Sequence, residues 1–212
     1  MELEKRVYLN DGWHFAEKFE PEMMYEQYDE SAMREVRLPH TCKETPFHYF
    51  DEGIYQMVWG YRRRIWTPEE YRGKSLLLTL EGAAHDCEVF VNGVKAGAHH
   101  CGYTAFSVDI SGLVRYGQEN ILAVRLDSRE NPDIPPFGHV IDYMTYGGIY
   151  RDVYLDIKNP VYLEDVFVHA QLEQKGARLF TDIAIRGKAD AMSVRQQIRK
   201  KGEGEFKTLE NE

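Results

Sequence analysis

Cross-linking chemistry is nearly absent from this 212-residue chain: Cys42, Cys87 and Cys101 make an odd number, and no two are spaced Cys-x-x-Cys. Neither a disulfide framework nor a zinc site is therefore expected. Cys87 falls on an apolar position of an alternating run and reads as a buried thiol. Excess positive charge is missing too. With 35 acidic against 26 basic residues and a net charge of -9, the chain offers no broad positive field to hold a phosphate backbone, which argues against a nucleic-acid partner. No segment approaches the roughly 20 apolar residues of a membrane-spanning helix. The opening MELEKRVYLNDGWHF has no basic leader followed by an apolar stretch and a small-residue cleavage site. The expectation is a soluble, cytoplasmic protein with no membrane partner. Long helical patterns are also scarce, whereas glycine, tyrosine and phenylalanine are plentiful at 17, 14 and 10 residues, a balance that favours an all-β architecture rich in turns.

What is present alternates. LNDGWHF carries an Asp-Gly turn signal and then Trp13 and Phe15 on one face. Residues 21–35 fit a short helix only loosely. In WGYRRRIW, Trp59, Tyr61, Arg63 and Ile65 share one side, and Gly60, Arg62, Arg64 and Trp66 the other. Three arginines in such a strand imply a solvated face or ion pairs. LLLTL, residues 76–80, is an apolar run of strand length between Gly73 and Gly82, as in a strand covered on both sides. CEVFVNGVKAGAH gives the sharpest local signal, because Asn92-Gly93 supplies the positive backbone angles of a tight hairpin turn. Phe106, Val108 and Ile110 alternate, as do Leu122, Val124 and Leu126. Between them and the last run lies SRENPDIPPFGHVIDYM, where Pro132, Pro135 and Pro136 break any ladder. A long loop results, and such loops tend to carry function. In the final run Ile149, Val153, Leu155 and Ile157 share the inward parity, and Arg151 shares it at the strand entrance.

Strands at short intervals with turns between them predict a jelly-roll β-sandwich over residues 1–157. The Lys-Asn-Pro at 158–160 reads as a linker. Beyond it EDVFVHAQL, ARLFTDIAIRG, MSVRQQIRK and GEFKTL are strand-like. Residues 158–212 are therefore expected to form part of an immunoglobulin-like sandwich, which needs about seven strands.

The succession LPH, YRRRI, EVFVNG, GYTAFSVDIS and NPDIPPFGHVIDYMTYGGIYRDVYL resembles the sugar-binding N-terminal domain of glycoside hydrolase family 2, which includes β-galactosidases and β-glucuronidases. DYMTYGGIYRDV is its most specific part. One departure is LPHTC, since family members often carry an aromatic where Cys42 stands. The resemblance implies a jelly roll, an Ig-like domain and then a TIM barrel, whose two glutamates perform a retaining hydrolysis with carboxyls about 5 Å apart. The catalytic glutamates would lie outside this chain, which alone is expected to be inert. The implied partners are a β-galactoside or related glycoside, the protein's own barrel, and further copies of the full-length enzyme.

In family members the acidic residue at the position of Asp142 reaches the active site, where it accepts hydrogen bonds from sugar hydroxyls or helps hold a cation. No cofactor is expected for this chain itself. An ionised carboxylate suits such a grip, but an aspartate before Gly-Gly is also a common turn residue bonding its own backbone. Tyr143 and Tyr146 would present ring faces to the sugar's C–H edges, and Gly147 and Gly148 would let the backbone turn behind Asp142. His139 reads either as a second sugar contact or as a loop residue packed on prolines. Asp133 reads as a turn residue, and Arg151 as an ion-pair tie between loop and sheet. Trp13, Trp59 and Trp66 read as core or domain-interface aromatics. The expected function is that of the N-terminal part of a retaining β-glycosidase of β-galactosidase type. The alternatives are a free-standing carbohydrate-binding module and a purely structural domain.

Overall fold

The computed structural model describes residues 5–45, 51–135, 146–188 and 190–209, and the chain divides into two compact units, 1–159 and 160–212. The first unit runs through β1 (Lys5–Tyr8), β2 (Trp13–Ala16), β3 (Arg34–Val36), β4 (Val58–Thr67), β5 (Ser75–Leu80) and β6 (Ala83–Ala84). It continues with β7 (Asp86–Val91), β8 (Val94–His99), β9 (Phe106–Asp109), β10 (Gln118–Asp127), β11 (Gly148–Ile149) and β12 (Val153–Lys158). A four-stranded sheet, β1-β12-β5-β9, faces a six-stranded one, β3-β2-β4-β10-β7-β8, and β11 pairs with β6. All pairings are antiparallel. The unit is the jelly-roll β-sandwich that the alternating runs predict. Among the described residues no helix is long and apolar enough to cross a membrane.

The alternation becomes the core. Trp13, Phe15, Trp59, Tyr61, Leu76, Leu78, Leu80, Cys87, Val89, Leu122, Val124, Leu126, Val153 and Leu155 join one buried cluster between the sheets. Each such side chain contributes about 1.5–3 kcal/mol through removal from water. Burial pushes the Cys87 thiol well above its ordinary pKa. The predicted hairpin turn is present, with φ of 50° at Asn92 and 87° at Gly93. The Asn92 amide also donates to the Leu113 carbonyl at 3.0 Å and to Asn120 Oδ1 at 2.8 Å, so it pins the turn to the neighbouring chain as well as shaping it.

Three expectations need correcting. Residues 21–35 form two 3₁₀ turns, Pro21–Met24 and Glu30–Ala32, rather than one helix. These cover the outer face of β4: Arg62 is fully buried and donates to Glu30 at 2.5 Å and to the Met23 carbonyl at 2.6 Å. Arg64 donates to Glu30 and to the Glu26 carbonyl. Trp66, two residues further along that face, is 66% exposed, which removes the core reading of that residue and leaves the domain-interface one. The third correction concerns Arg151, which is exposed despite its inward parity. Its neighbours Ile149 and Val153 belong to two different strands, so parity does not carry across residues 150–152.

The second unit contains a long hairpin, β13 (Tyr162–Glu173) and β14 (Gly176–Arg186), and the short pair β15 (Gln197–Ile198) and β16 (Lys207–Thr208). Register places Leu163, Val166, Val168, Ala170 and Leu172 opposite Ile185, Ile183, Thr181, Leu179 and Ala177. One face of the hairpin is thus almost wholly apolar, and Leu163, Val166, Val168, Leu172 and Leu179 are all exposed.

Candidate functional site

Two segments more than a hundred residues apart are laid side by side. The His40 amide donates to the Ile149 carbonyl at 2.8 Å, and the Cys42 amide to the Gly147 carbonyl at 2.9 Å. The paired glycines make this approach feasible. A Cβ at Gly148 would lie 2.3 Å from the His40 carbonyl oxygen, and its φ of +146° is one that side-chain-bearing residues avoid. A Cβ at Gly147 would lie 2.8 Å from Ser128 Oγ and 3.2 Å from Trp59 Nε1. The backbone here is pressed between neighbours on both sides.

Around this junction opens a concavity of about 650 Å³, lined by Thr41, Lys43, Glu44, Thr45, Tyr55, Tyr146, Gly147 and Tyr150. Tyr55 is buried, donates its hydroxyl proton to the Lys43 carbonyl, and meets the half-exposed ring of Tyr146 edge-on at 5.4 Å. Tyr150 donates to the Gly102 carbonyl at 2.5 Å. Lys43 reaches Glu17 at 2.5 Å, so its charge is already matched. Aromatic walls with a few polar groups suit a small polar molecule that also has apolar edges.

The wall behind Thr41 is fixed by a relay. A guanidinium only donates, so His40 Nε2 accepts from Arg34 at 3.2 Å, and Nδ1 carries the proton toward the Tyr61 hydroxyl at 2.8 Å. Burial, aided by Arg34, brings the His40 pKa down to about 4. Cys42 is buried 3.5 Å from the same hydroxyl, and its thiol is pushed up to about 12 by burial. The residue that departs from the resembled pattern is thus a core side chain here.

The segment leaving β10 is anchored as firmly. Burial would raise the pKa of Asp127, but Arg129, at 2.9 and 2.6 Å through two nitrogens, and Arg125 hold it below its ordinary value. Next to it Ser128 accepts from Trp59 Nε1 at 2.6 Å and donates to the Tyr55 carbonyl. The turn at Asp133 is closed by Asn131, whose side chain accepts from the Asp133 amide at 2.9 Å. His139, Asp142 and Tyr143 lie outside the described residues. Arg151 has no ion pair among the described residues and instead sits over the Tyr150 ring at 5.6 Å. No cluster of three or more His, Cys, Asp or Glu suited to a metal occurs among the described residues. Thr41, Tyr55 and Ser128 were not foreseen. Ser128 carries no local signal, and Tyr55 is marked only by its place before the WGYRRRIW strand.

A jelly-roll sandwich with an aromatic-lined concavity beside its inter-strand loops is the build of a small-ligand-binding β domain. Residues 56–160 match the model of glycosyl hydrolases family 2, sugar binding domain, and this part of the chain belongs to that family. A β-galactosidase of Thermoanaerobacter pseudethanolicus is 40% identical over 200 residues, 92% of this chain and 26% of that protein. A β-glucuronidase of Bacteroides fragilis is 34% identical, over 70% of this chain and 20% of its own length. Among solved structures, a calcium-binding mutant of Bacteroides uniformis β-glucuronidase 2 superposes with a TM-score of 0.79 at 27% identity, covering 88% of this chain and 23% of that one. The chain spans about a quarter of the length of the relatives it matches.

Proposed function

We propose that this chain is the N-terminal part of a retaining β-glycosidase of β-galactosidase type, in which it supplies one wall of the sugar site and positions a separate catalytic barrel. The observation that carries this reading is the tyrosine-lined concavity at the stem of the segment bearing Asp142. The half-exposed Tyr146 offers ring surface to the C–H face of a pyranose, with the buried Tyr55 backing it edge-on. The Thr41 hydroxyl and the Asp142 carboxylate would take its hydroxyls, the carboxylate through charge-assisted bonds. Relatives at 40% and 39% identity are named β-galactosidases, which supports a galactoside over a glucuronide. So does the described part of the rim, where Glu44 stands and Lys43 is already paired with Glu17, leaving little among the described residues to attract a uronate.

A retaining mechanism needs a nucleophilic carboxylate and an acid/base carboxyl about 5 Å apart. Those groups are assigned to the barrel, and the role of this chain is to bind and orient. The test is turnover of nitrophenyl β-galactoside. Pure 212-residue chain is expected to release no nitrophenol, whereas the protein extended through a barrel hydrolyses it. Turnover by the short chain itself would overturn the proposal.

A further inference from the structure

Ser128 is 1% exposed and lines no part of the concavity, yet it touches both of its tyrosine-bearing walls. An indole N–H can only donate. The 2.6 Å contact with Trp59 Nε1 therefore makes Ser128 Oγ an acceptor, which sends its own proton to the Tyr55 carbonyl. The Ser128 amide adds a bond to the Met57 carbonyl at 3.1 Å. Those contacts hold the turn that carries Tyr55. On the other side, the space a Cβ would need at Gly147 is filled by Ser128 Cβ and Oγ, each 2.8 Å away. Gly147 in turn directly follows Tyr146, whose ring meets Tyr55 at 5.4 Å.

We infer that Ser128 is a positioning residue for the concavity: with Trp59 behind it, its hydroxyl sets the separation of the Tyr55 and Tyr146 walls. This rests on the reading of the concavity as a sugar site. A merely structural serine would do no more than satisfy the buried Trp59 N–H. The two roles separate in the pair S128A and S128A/W59F, because W59F removes the orphaned donor without restoring the hydroxyl's bond to the Tyr55 carbonyl, which is left with the Met57 amide at 2.9 Å.

The probe is methyl β-D-galactopyranoside, titrated into the protein extended through its barrel while the amide resonances of Thr41, Tyr55 and Gly147 are followed. Wild type is expected to show saturable shifts, and S128A a midpoint at least fivefold higher. S128A/W59F should regain thermal stability relative to S128A without regaining affinity. An unchanged midpoint in S128A, or recovery of affinity together with stability in the double variant, overturns the inference. If S128A does not fold, S128C, which keeps a weak donor and acceptor, takes its place and should bind with intermediate affinity; wild-type affinity in S128C overturns the inference. If wild type itself gives no sugar response, the reading of the site fails. Ser128 is then judged from the Tyr55–Tyr146 ring cross-peaks in S128A/W59F, whose loss sustains the inference and whose retention overturns it.

Discussion

A side-chain carbon on Gly148 would sit 2.3 Å from the carbonyl oxygen of His40, a residue more than a hundred positions earlier in the chain. The contact is backbone against backbone, so no flexible side chain can yield to relieve it. With the positive φ added, G148A is expected to destabilise the first unit by about 2–3 kcal/mol. Urea unfolding followed by tryptophan fluorescence measures this. Gly112 has open space around it and no positive φ, and G112A should change stability by less than about 0.5 kcal/mol.

The pairing of Arg62 with Glu30 predicts an asymmetric response. Arg62 is fully buried, so removing its carboxylate partner leaves a desolvated charge. E30A should cost about 3–5 kcal/mol, whereas R62M, which removes the charge and keeps apolar bulk, should cost less. Burial would raise the pKa of Glu30, yet Arg62 and Arg64 together bring it below its ordinary value. The pair's contribution is therefore present above the ordinary carboxylate pKa and lost as pH falls through the depressed one. Chemical denaturation of the two variants at neutral pH checks the order.

His40 gives a second pH signature. Its folded pKa of about 4 lies below the ordinary histidine value of 6.5, so the unfolded chain binds the extra proton between those values. Its contribution is complete above pH 6.5 and declines as pH falls toward 4. The His85 pKa is also lowered by burial, so the wild-type slope is shared. The difference between wild type and H40Q is expected to shrink steadily between pH 6.5 and 4.5 in urea midpoints. A constant difference would contradict the assigned Arg34–His40–Tyr61 relay.

In the second unit the apolar ladder of β13 and β14 is open to solvent, with Leu172 85% and Val168 54% exposed. Such a face binds hydrophobic dyes and promotes association. V168S/L172Q should lower dye fluorescence by at least half and reduce concentration-dependent light scattering, with no change in the tryptophan-monitored unfolding of the first unit.

Much of the sandwich was legible because its information is local. Alternation at Leu122, Val124 and Leu126 names a buried face, and Asn92-Gly93 names a turn, without reference to anything distant. The site is built otherwise. The docking of residues 40–42 on residues 147–149, and the junction of Trp59, Ser128 and Tyr55, join segments whose separation leaves no periodic trace. Gly147 and Gly148 stood out in sequence as a place to turn; the structure adds that neighbouring atoms fill the space their side chains would need. Arg151 and Trp66 misled for one reason: parity predicts a side only while the strand and its covering continue.

The proposed division of labour, in which this chain grips the sugar while chemistry happens on a separate barrel, turns on Asp142. It is tested most directly by the kinetics of D142A in the protein extended through that barrel, with nitrophenyl β-galactoside as substrate. The expected result is a fall in kcat/KM of at least about a hundredfold, or roughly 2.7 kcal/mol of lost transition-state binding, with the thermal midpoint unchanged. Kinetics within twofold of wild type would contradict it.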